Sequence, residues 1–155
     1  LLRFGENEPP NPDDIERKVA GRIGRQALLS RDAAPHLHVV LGEAVIRQMV
    51  GSTAVMRRQL VTLWESAQRE NVTLQVVPFS AGAHPGLPGA FTILTFDAYK
   101  MQIGYTEGPG GHIYLESAVD VSGINVRRGG VLKAALSPSE SAALLQDAAD
   151  SLVNE

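Results

Sequence analysis

Four histidines are the first candidates for acid–base or metal chemistry in this sequence. His36 and His38 stand two residues apart, so on an extended strand both side chains point to the same side and permit a metal pair. A third ligand would have to come from His84, His112 or an acid such as Glu43. Because no spacing of the H-E-x-x-H type accompanies the pair, the sequence favours half-exposed histidines at a strand entrance. Neither a metal nor another cofactor is expected.

His84 stands in a loop rich in glycine and proline, residues 80–89, which follows a predicted strand. Pro85 biases the backbone of His84 towards an extended conformation, and the glycines allow a ligand or another chain to approach closely. Since loops at the carboxyl ends of parallel strands are common ligand sites, this loop is a candidate binding site. The alternatives are a surface loop whose histidine merely packs, or a small hydrolase or transferase that uses His84 with Glu43 or Glu107 as an acid–base pair.

A further candidate site comes from two short stretches in which polar or aromatic residues alternate with apolar ones. Tyr105 and Glu107 share one face of the first stretch, and His112, Tyr114 and Glu116 share one face of the second. These side chains could line a cleft together or form the solvated face of a sheet.

The predicted ligand- or partner-binding residues are the side chains expected nearest to the His84 loop. They are Glu43, Phe79, His84, Tyr105, Glu107, Tyr114 and Glu116. No catalytic residue and no metal ligand is predicted, because the sequence has neither a G-x-S-x-G nucleophile motif nor a G-x-x-x-x-G-K-[ST] phosphate loop.

The composition narrows the classes of function. The 155 residues suit one domain, and the absence of cysteine excludes a disulfide scaffold, a thiol nucleophile and cysteine-ligated metal sites. The longest charge-free stretch, residues 71–96, is interrupted by Pro78, Pro85 and Pro88. It therefore predicts two strands and a loop rather than a membrane span.

The charge distribution gives a weak case for nucleic-acid binding. Fourteen basic against seventeen acidic side chains leave a net charge of −3, so bulk electrostatics would not drive binding to a polyanion. One basic stripe, Lys18, Arg22 and Arg25, lies on a predicted helix, but no aromatic residue is interleaved to stack on bases. A solvated helix face, or a surface for an acidic partner, is the favoured interpretation of this stripe.

Hydrophobic periodicity and turn residues predict the elements that must position these side chains. The predicted fold class is α+β, a mixed sheet of about five strands flanked by helices, in which a parallel strand–helix–strand unit precedes antiparallel strands. Helices are predicted over 11–29, from 51–53 to 71, over 117–136 and from 137 onwards, and strands over 37–41, 72–79, 91–96, 101–106 and 112–116.

Several segments resemble one known family in their order and spacing. The resemblance is to the C-terminal domain of unknown function of actinobacterial Xre-type helix-turn-helix regulators, an antitoxin-like group encoded beside small partner proteins. The segments are R-Q-A-L-L-S-R at 25–31, V-V-L-G-E-A-V at 39–45, M-R-R-Q-L at 56–60, N-V-T-L-Q-V-V-P-F-S-A-G-A-H-P-G at 71–86, Y-L-E at 114–116 and A-L-S-P at 135–138.

The resemblance implies a cytoplasmic regulatory domain over residues 1–155 that is not an enzyme. A DNA-binding helix-turn-helix would precede it, and the start at Leu1 without an initiator methionine fits a piece of a longer protein. The implied partner is a small neighbour-encoded protein or a small-molecule effector. DNA would be contacted only through the upstream module, and no membrane contact is expected. Homodimerisation is left open. The sequence departs from the family pattern at two places. Gly42 stands where the family usually has an acidic residue. The aromatic residue expected near Gly129 is missing, which predicts a loosely packed penultimate helix.

Overall fold

The computed structural model describes residues 11–108 and 110–152, which form an α+β fold of five strands flanked by helices. This confirms the predicted fold class. The helices are α1 (Pro12–Gln26), α2 (Glu43–Arg47), α3 (Thr53–Ser66), α4 (Ala118–Ala134) and α5 (Pro138–Ser151). The strands are β1 (Leu37–Gly42), β2 (Val72–Val77), β3 (Phe91–Phe96), β4 (Met101–Gly108) and β5 (Gly111–Leu115).

The first sheet is the predicted parallel unit. β1 and β2 pair in parallel from Leu37 opposite Val72 to Gly42 opposite Val77, and α2 and α3 connect them. This connection is the crossover that a parallel pair requires. The carboxyl ends of both strands therefore lie at the same edge, where residues 43 and 78–90 follow.

The other three strands form a separate antiparallel sheet in the order β3-β4-β5. The mixed sheet is thus divided into two hydrogen-bonded groups. The loop between β2 and β3 explains the break, because Pro78, Pro85 and Pro88 have no N–H to continue a ladder. Within the antiparallel sheet the register places Tyr105 opposite Tyr114 and Glu107 opposite His112.

The hydrophobic core lies between the parallel sheet, α3 and α5. Leu60 is 1% exposed and Leu145 is 0% exposed, and both belong to the apolar faces predicted from helical spacing. Trp64 is only partly buried at the edge of this cluster. The buried members are Ile46, Met56, Leu60, Leu74, Val76, Leu145, Ala148 and Ala149.

Helix starts follow the predicted capping chemistry. The Asn11 side chain accepts a hydrogen bond from the backbone N–H of Asp13, and Pro12 occupies the first turn of α1. Ser137 and Glu140 form a reciprocal capping box at the start of α5. Local sequence therefore determines where both helices begin.

The apolar stripe of α1 does not pack into the core, although its four-residue spacing is typical of a helix face that packs. Ile15, Val19 and Ile23 are exposed, and α1 makes its main contacts with the short 3-10 turn Ala27–Ser30 that follows it. Within the described part of the chain, none of the α1 side chains is buried. The amphipathic pattern correctly predicts the helix but not a neighbour for its apolar face.

Helix α4 packs on one face of the antiparallel sheet and on the loop that follows β2. A Cβ at Gly104 would lie 3.0 Å from Ile124 Cδ1, and one at Gly130 would lie 2.6 Å from Pro85 Cγ. The predicted loose packing of this helix is found at Gly129, where a Cβ would meet nothing within 4 Å. At Gly130 the helix packs closely against Pro85. Among the helices of the described residues, none combines the length and apolar character that crossing a membrane requires.

Candidate functional site

Glu43 and Phe79 meet at the carboxyl edge of the parallel sheet, as the sequence predicts. The backbone N–H of Phe79 donates to Glu43 Oε2 at 2.8 Å, and Arg47 Nε donates to Glu43 Oε1 at 3.2 Å. Glu43 thus ties the segment after β2 to the segment after β1. The phenyl ring of Phe79 remains 64% exposed, so this edge offers an apolar contact to the surroundings.

His84 is held by its own loop rather than by a carboxylate. The backbone N–H of Gly86 donates to His84 Nδ1 at 3.1 Å, which places the proton of the neutral ring on Nε2. In residues 11–108 and 110–152, no hydrogen bond joins His84 to Glu43 or to Glu107.

Arg127 of α4 holds the loop after β2 in place. Its Nε donates to the carbonyl of Pro85 at 2.8 Å, and its Nη2 donates to the carbonyl of Gly89 at 2.7 Å. The guanidinium carbon also lies 4.7 Å from the ring centroid of Phe91, a cation–π contact. Sequence reasoning missed this role because a lone arginine on a helix carries no spacing signal for a distant loop.

Three aromatic rings form a cluster on the antiparallel sheet. The ring centroids of Tyr105 and Tyr114 are 5.4 Å apart, and His112 lies 5.9 Å from Tyr105 and 5.5 Å from Tyr114. Such separations are typical of favourable aromatic contacts. Desolvation, with the nearby Glu107 carboxylate and Tyr114, raises the pKa of Tyr105 above its ordinary value.

An open cleft of about 430 Å³ separates the loop after β2 from the β4–β5 hairpin. Its walls are residues 88–90 of the loop, residues 106–108 and 110–113 of the hairpin, and Arg127. Three lining residues are ionisable: Glu107, His112 and Arg127. Arg127 lies on the α4 side of the sheet, whereas strand alternation directs the Glu107 and His112 side chains to the face that carries Tyr105 and Tyr114, at the rim of the hairpin. The cleft and its rim therefore carry charges of both signs.

The chain matches the family model described as "Domain of unknown function (DUF5753)" over residues 2–147. It belongs to this family. The match confirms the coarser part of the resemblance, a domain of unknown function. No curated protein and no solved structure matches the chain.

The predicted site residues of this DUF5753 chain fall into separate groups. Tyr105, Glu107 and Tyr114 come together on the antiparallel sheet, with His112 beside them. Glu43 and Phe79 meet at the parallel edge, and His84 lies in the loop between the two groups. Glu116 is exposed just beyond β5. Of the predicted site residues, Glu107 lines the cleft, and His112 and Arg127 are further ionisable residues in its lining.

His38, the second histidine of the His36/His38 pair, makes structural contacts from β1. His38 Nε2 lies 2.8 Å from Gln75 Oε1, and Arg128 Nη2 lies 3.4 Å from His38 Nδ1. Across the described residues of this DUF5753 domain, no group of three or more His, Asp or Glu side chains could hold a metal ion. The contacts of His38 therefore join β1 to β2 and α4.

Proposed function

We propose that this chain is the effector-binding domain of a cytoplasmic, actinobacterial Xre-type transcription regulator, preceded in the whole protein by a DNA-binding helix-turn-helix. Its role is to control that upstream module rather than to catalyse a reaction. Membership of the DUF5753 family supports the coarser part of this proposal, and the resemblance of several segments to such regulators motivates the rest.

The observation that carries the proposal is the cleft between the loop after β2 and the β4–β5 hairpin. Its volume of about 430 Å³ lies within the range of small-molecule sites. Arg127 supplies a positive charge on the α4 side of the cleft, and Glu107 supplies a negative charge at the hairpin rim. The preferred effector is therefore a small polar molecule with both an acidic or carbonyl group and a hydrogen-bond donor.

The contacts around the cleft offer a route from binding to regulation. An effector that bridges the two walls would pull the loop and the hairpin together, and Arg127 and Pro85 connect that loop to α4. The differential affinity of the effector for open and closed arrangements would then shift α4 against the sheet. A change in the spacing of two helix-turn-helix modules would alter operator binding.

A small protein encoded beside the regulator is the second effector candidate. Phe79 and Leu87 are 64% and 66% exposed on the loop after β2. Exposed aromatic and aliphatic side chains on one loop are typical anchors for a protein partner. A partner that contacts this loop would act on the same connection to α4.

The decisive test measures operator binding by the full-length regulator, with and without the purified neighbour-encoded protein and with a panel of polar metabolites. The variant Glu107→Gln is expected to weaken the response to a metabolite effector at least tenfold while operator affinity without effector stays unchanged. Glu70→Gln, the same chemical change at an exposed residue outside the cleft, serves as the matched control. Equal responses of the two variants would exclude the cleft as the effector site.

The same preparations test the alternative functions. A hydrolase or transferase would turn over generic ester or phosphoester substrates, and His84→Ala would abolish that turnover. Direct nucleic-acid binding would appear as duplex binding by the isolated chain that falls steeply with salt and is weakened by Arg22→Ala. We expect no turnover and no duplex binding, even at low salt.

A further inference from the structure

The exposed apolar stripe of α1 needs a partner surface. Ile15, Val19 and Ile23 are 45%, 47% and 60% exposed, although their four-residue spacing places them on one helix face. Gly21 and Gly24 further weaken a helix of 15 residues, which is marginal in water without tertiary packing. The helix therefore gains most of its stability from whatever covers this stripe.

A second uncovered apolar surface lies on the antiparallel sheet, on the face opposite α4. Leu94 pairs with Ile103, and Phe96 pairs with Met101, so these four side chains form one patch. Leu94 and Met101 are each 44% exposed, and Phe96 is 39% exposed. We call these four residues the sheet patch.

The α1 stripe and the sheet patch match in size. From Ile15 to Ile23 the stripe spans about 12 Å of helix axis. The sheet patch itself spans about 7 Å along β4, and the rings of Tyr105 and Tyr114 on the same face extend the exposed surface to about 13 Å by 10 Å over three strands.

The two surfaces also match in charge. Lys18, Arg22 and Arg25 are exposed along one border of the stripe, at the helical spacing that places them beside Ile15 and Val19. Glu107 follows Tyr105 at the hairpin end of β4, and Glu116 follows Leu115, the β5 residue that pairs with Gly104. Both carboxylates are exposed, and Lys100 lies in the turn before β4. Basic side chains next to one apolar surface and acidic side chains next to the other favour their association.

The two surfaces do not cover each other within one chain. Asn71 Nδ2 donates to the carbonyls of Leu29 and Pro35, which anchors the turn after α1 beside the start of β2, and α1 makes its main contacts with that turn. We propose that α1 of one copy docks on the sheet patch of a second copy, whose own α1 returns the same contact. Such a reciprocal exchange gives a closed twofold dimer, in which the α1 stripe and the sheet patch of both copies are covered. The exchange does not require an effector, and Glu107 borders both the sheet face and the cleft.

A cross-linking experiment tests the contact directly, because the chain has no cysteine of its own. Val19→Cys is placed in one full-length copy and Leu94→Cys in a second copy with a size tag, and the mixture is treated with a flexible bis-maleimide. We expect a tagged–untagged product from this pair. Val126→Cys, which replaces a valine that is 74% exposed on α4, is the matched control in place of Val19→Cys and is expected to give no product.

The oligomeric state gives the second measurement. The unmodified protein is expected to sediment as a dimer, and Val19→Glu is expected to raise the dimer dissociation constant at least tenfold, whereas Val126→Glu leaves it unchanged. Arg22→Glu should weaken the dimer, and Glu116→Arg in the same chain should restore part of the loss.

Three results would overturn the proposal. One is a monomer, or a dimer that Val19→Glu does not weaken. Another is an intramolecular cross-link at high dilution in a single chain that carries both Val19→Cys and Leu94→Cys, which would place α1 on its own sheet. The third is the absence of a cross-link between copies, together with protection of a cysteine at position 19 from maleimide by the segment that precedes α1 or by the neighbour-encoded protein.

Discussion

The parallel and antiparallel halves of the molecule differ in what they bury. The parallel half, with α3 and α5, contains fully buried residues such as Leu60, Val76 and Leu145. In the antiparallel half, β3 and β5 have no buried residue and β4 has only Gly104, while Leu94, Phe96, Met101 and Tyr114 stay exposed. The first half therefore carries most of the folding stability, and the second half offers side chains for contact with other molecules.

This difference explains why the cleft and the aromatic cluster lie where they do. A sheet covered on only one face, here by α4, keeps its other face and its hairpin end accessible. The loop after β2 links the halves, since it leaves the parallel edge at Phe79 and reaches α4 through Pro85 and Gly89. Binding at the accessible half can therefore act on the stable half through this loop.

The largest expected effect comes from a cavity in the parallel half. Leu60→Ala should destabilise the protein by about 2–5 kcal/mol, because Leu60 is 1% exposed and its removal leaves a void in the core. Leu87→Ala makes the same change at a side chain that is 66% exposed and should alter stability by no more than about 0.5 kcal/mol. Urea unfolding measures both. Similar losses for the two variants would contradict the division between the halves.

A buried hydroxyl gives the next largest effect. Ser141 is 0% exposed, and its Oγ accepts a hydrogen bond from the backbone N–H of Val76 at 2.9 Å. Ser141→Ala leaves that N–H unsatisfied in the core and should cost about 1–3 kcal/mol. Ser139 lies in the same helix but is exposed, so Ser139→Ala should change the free energy of unfolding by no more than about 0.5 kcal/mol. An equal loss in both variants would contradict the assignment of the loss to the buried hydrogen bond.

Neighbouring glycines in α4 sharpen the comparison, because they should respond with opposite signs. Gly130→Ala places a Cβ 2.6 Å from Pro85 and should destabilise the protein by about 1–3 kcal/mol. Gly129→Ala meets nothing within 4 Å and should stabilise the helix by about 0.5–1 kcal/mol. Thermal unfolding distinguishes them. Stabilisation by both would mean that the loop after β2 is not packed tightly on α4.

The smallest effect is a pH dependence in α5. The hydrogen bonds from the Ser137 hydroxyl and backbone N–H lower the pKa of Glu140 below its ordinary value. A depressed folded-state pKa contributes stability that is present above the unfolded-state pKa and is lost as the pH falls through the folded-state pKa. Glu140→Gln should remove this acid-dependent component, as measured by urea unfolding at several acidic pH values. An unchanged pH profile would contradict the assignment.

Much of the fold could be predicted because its signals are local. The cap at Asn11, the capping box at Ser137 and Glu140, and the helical spacing of Leu60 depend only on nearby residues. The candidate site was predictable only where strand alternation sets the face, as for Tyr105 and Tyr114. The role of Arg127 was not predictable, since its partners are loop carbonyls about 40 residues away along the chain.

Residue patterns were enough to predict the order of helices and strands, the parallel strand–helix–strand unit and the placing of polar and aromatic residues on one strand face. They were enough because side-chain period and turn chemistry act within a few residues. Three outcomes became visible only in the folded chain: the strands divide into two sheets, α1 leaves its apolar stripe uncovered, and Arg127 joins Glu107 at a cleft. Those outcomes depend on which distant surfaces meet, and periodicity carries no information about that.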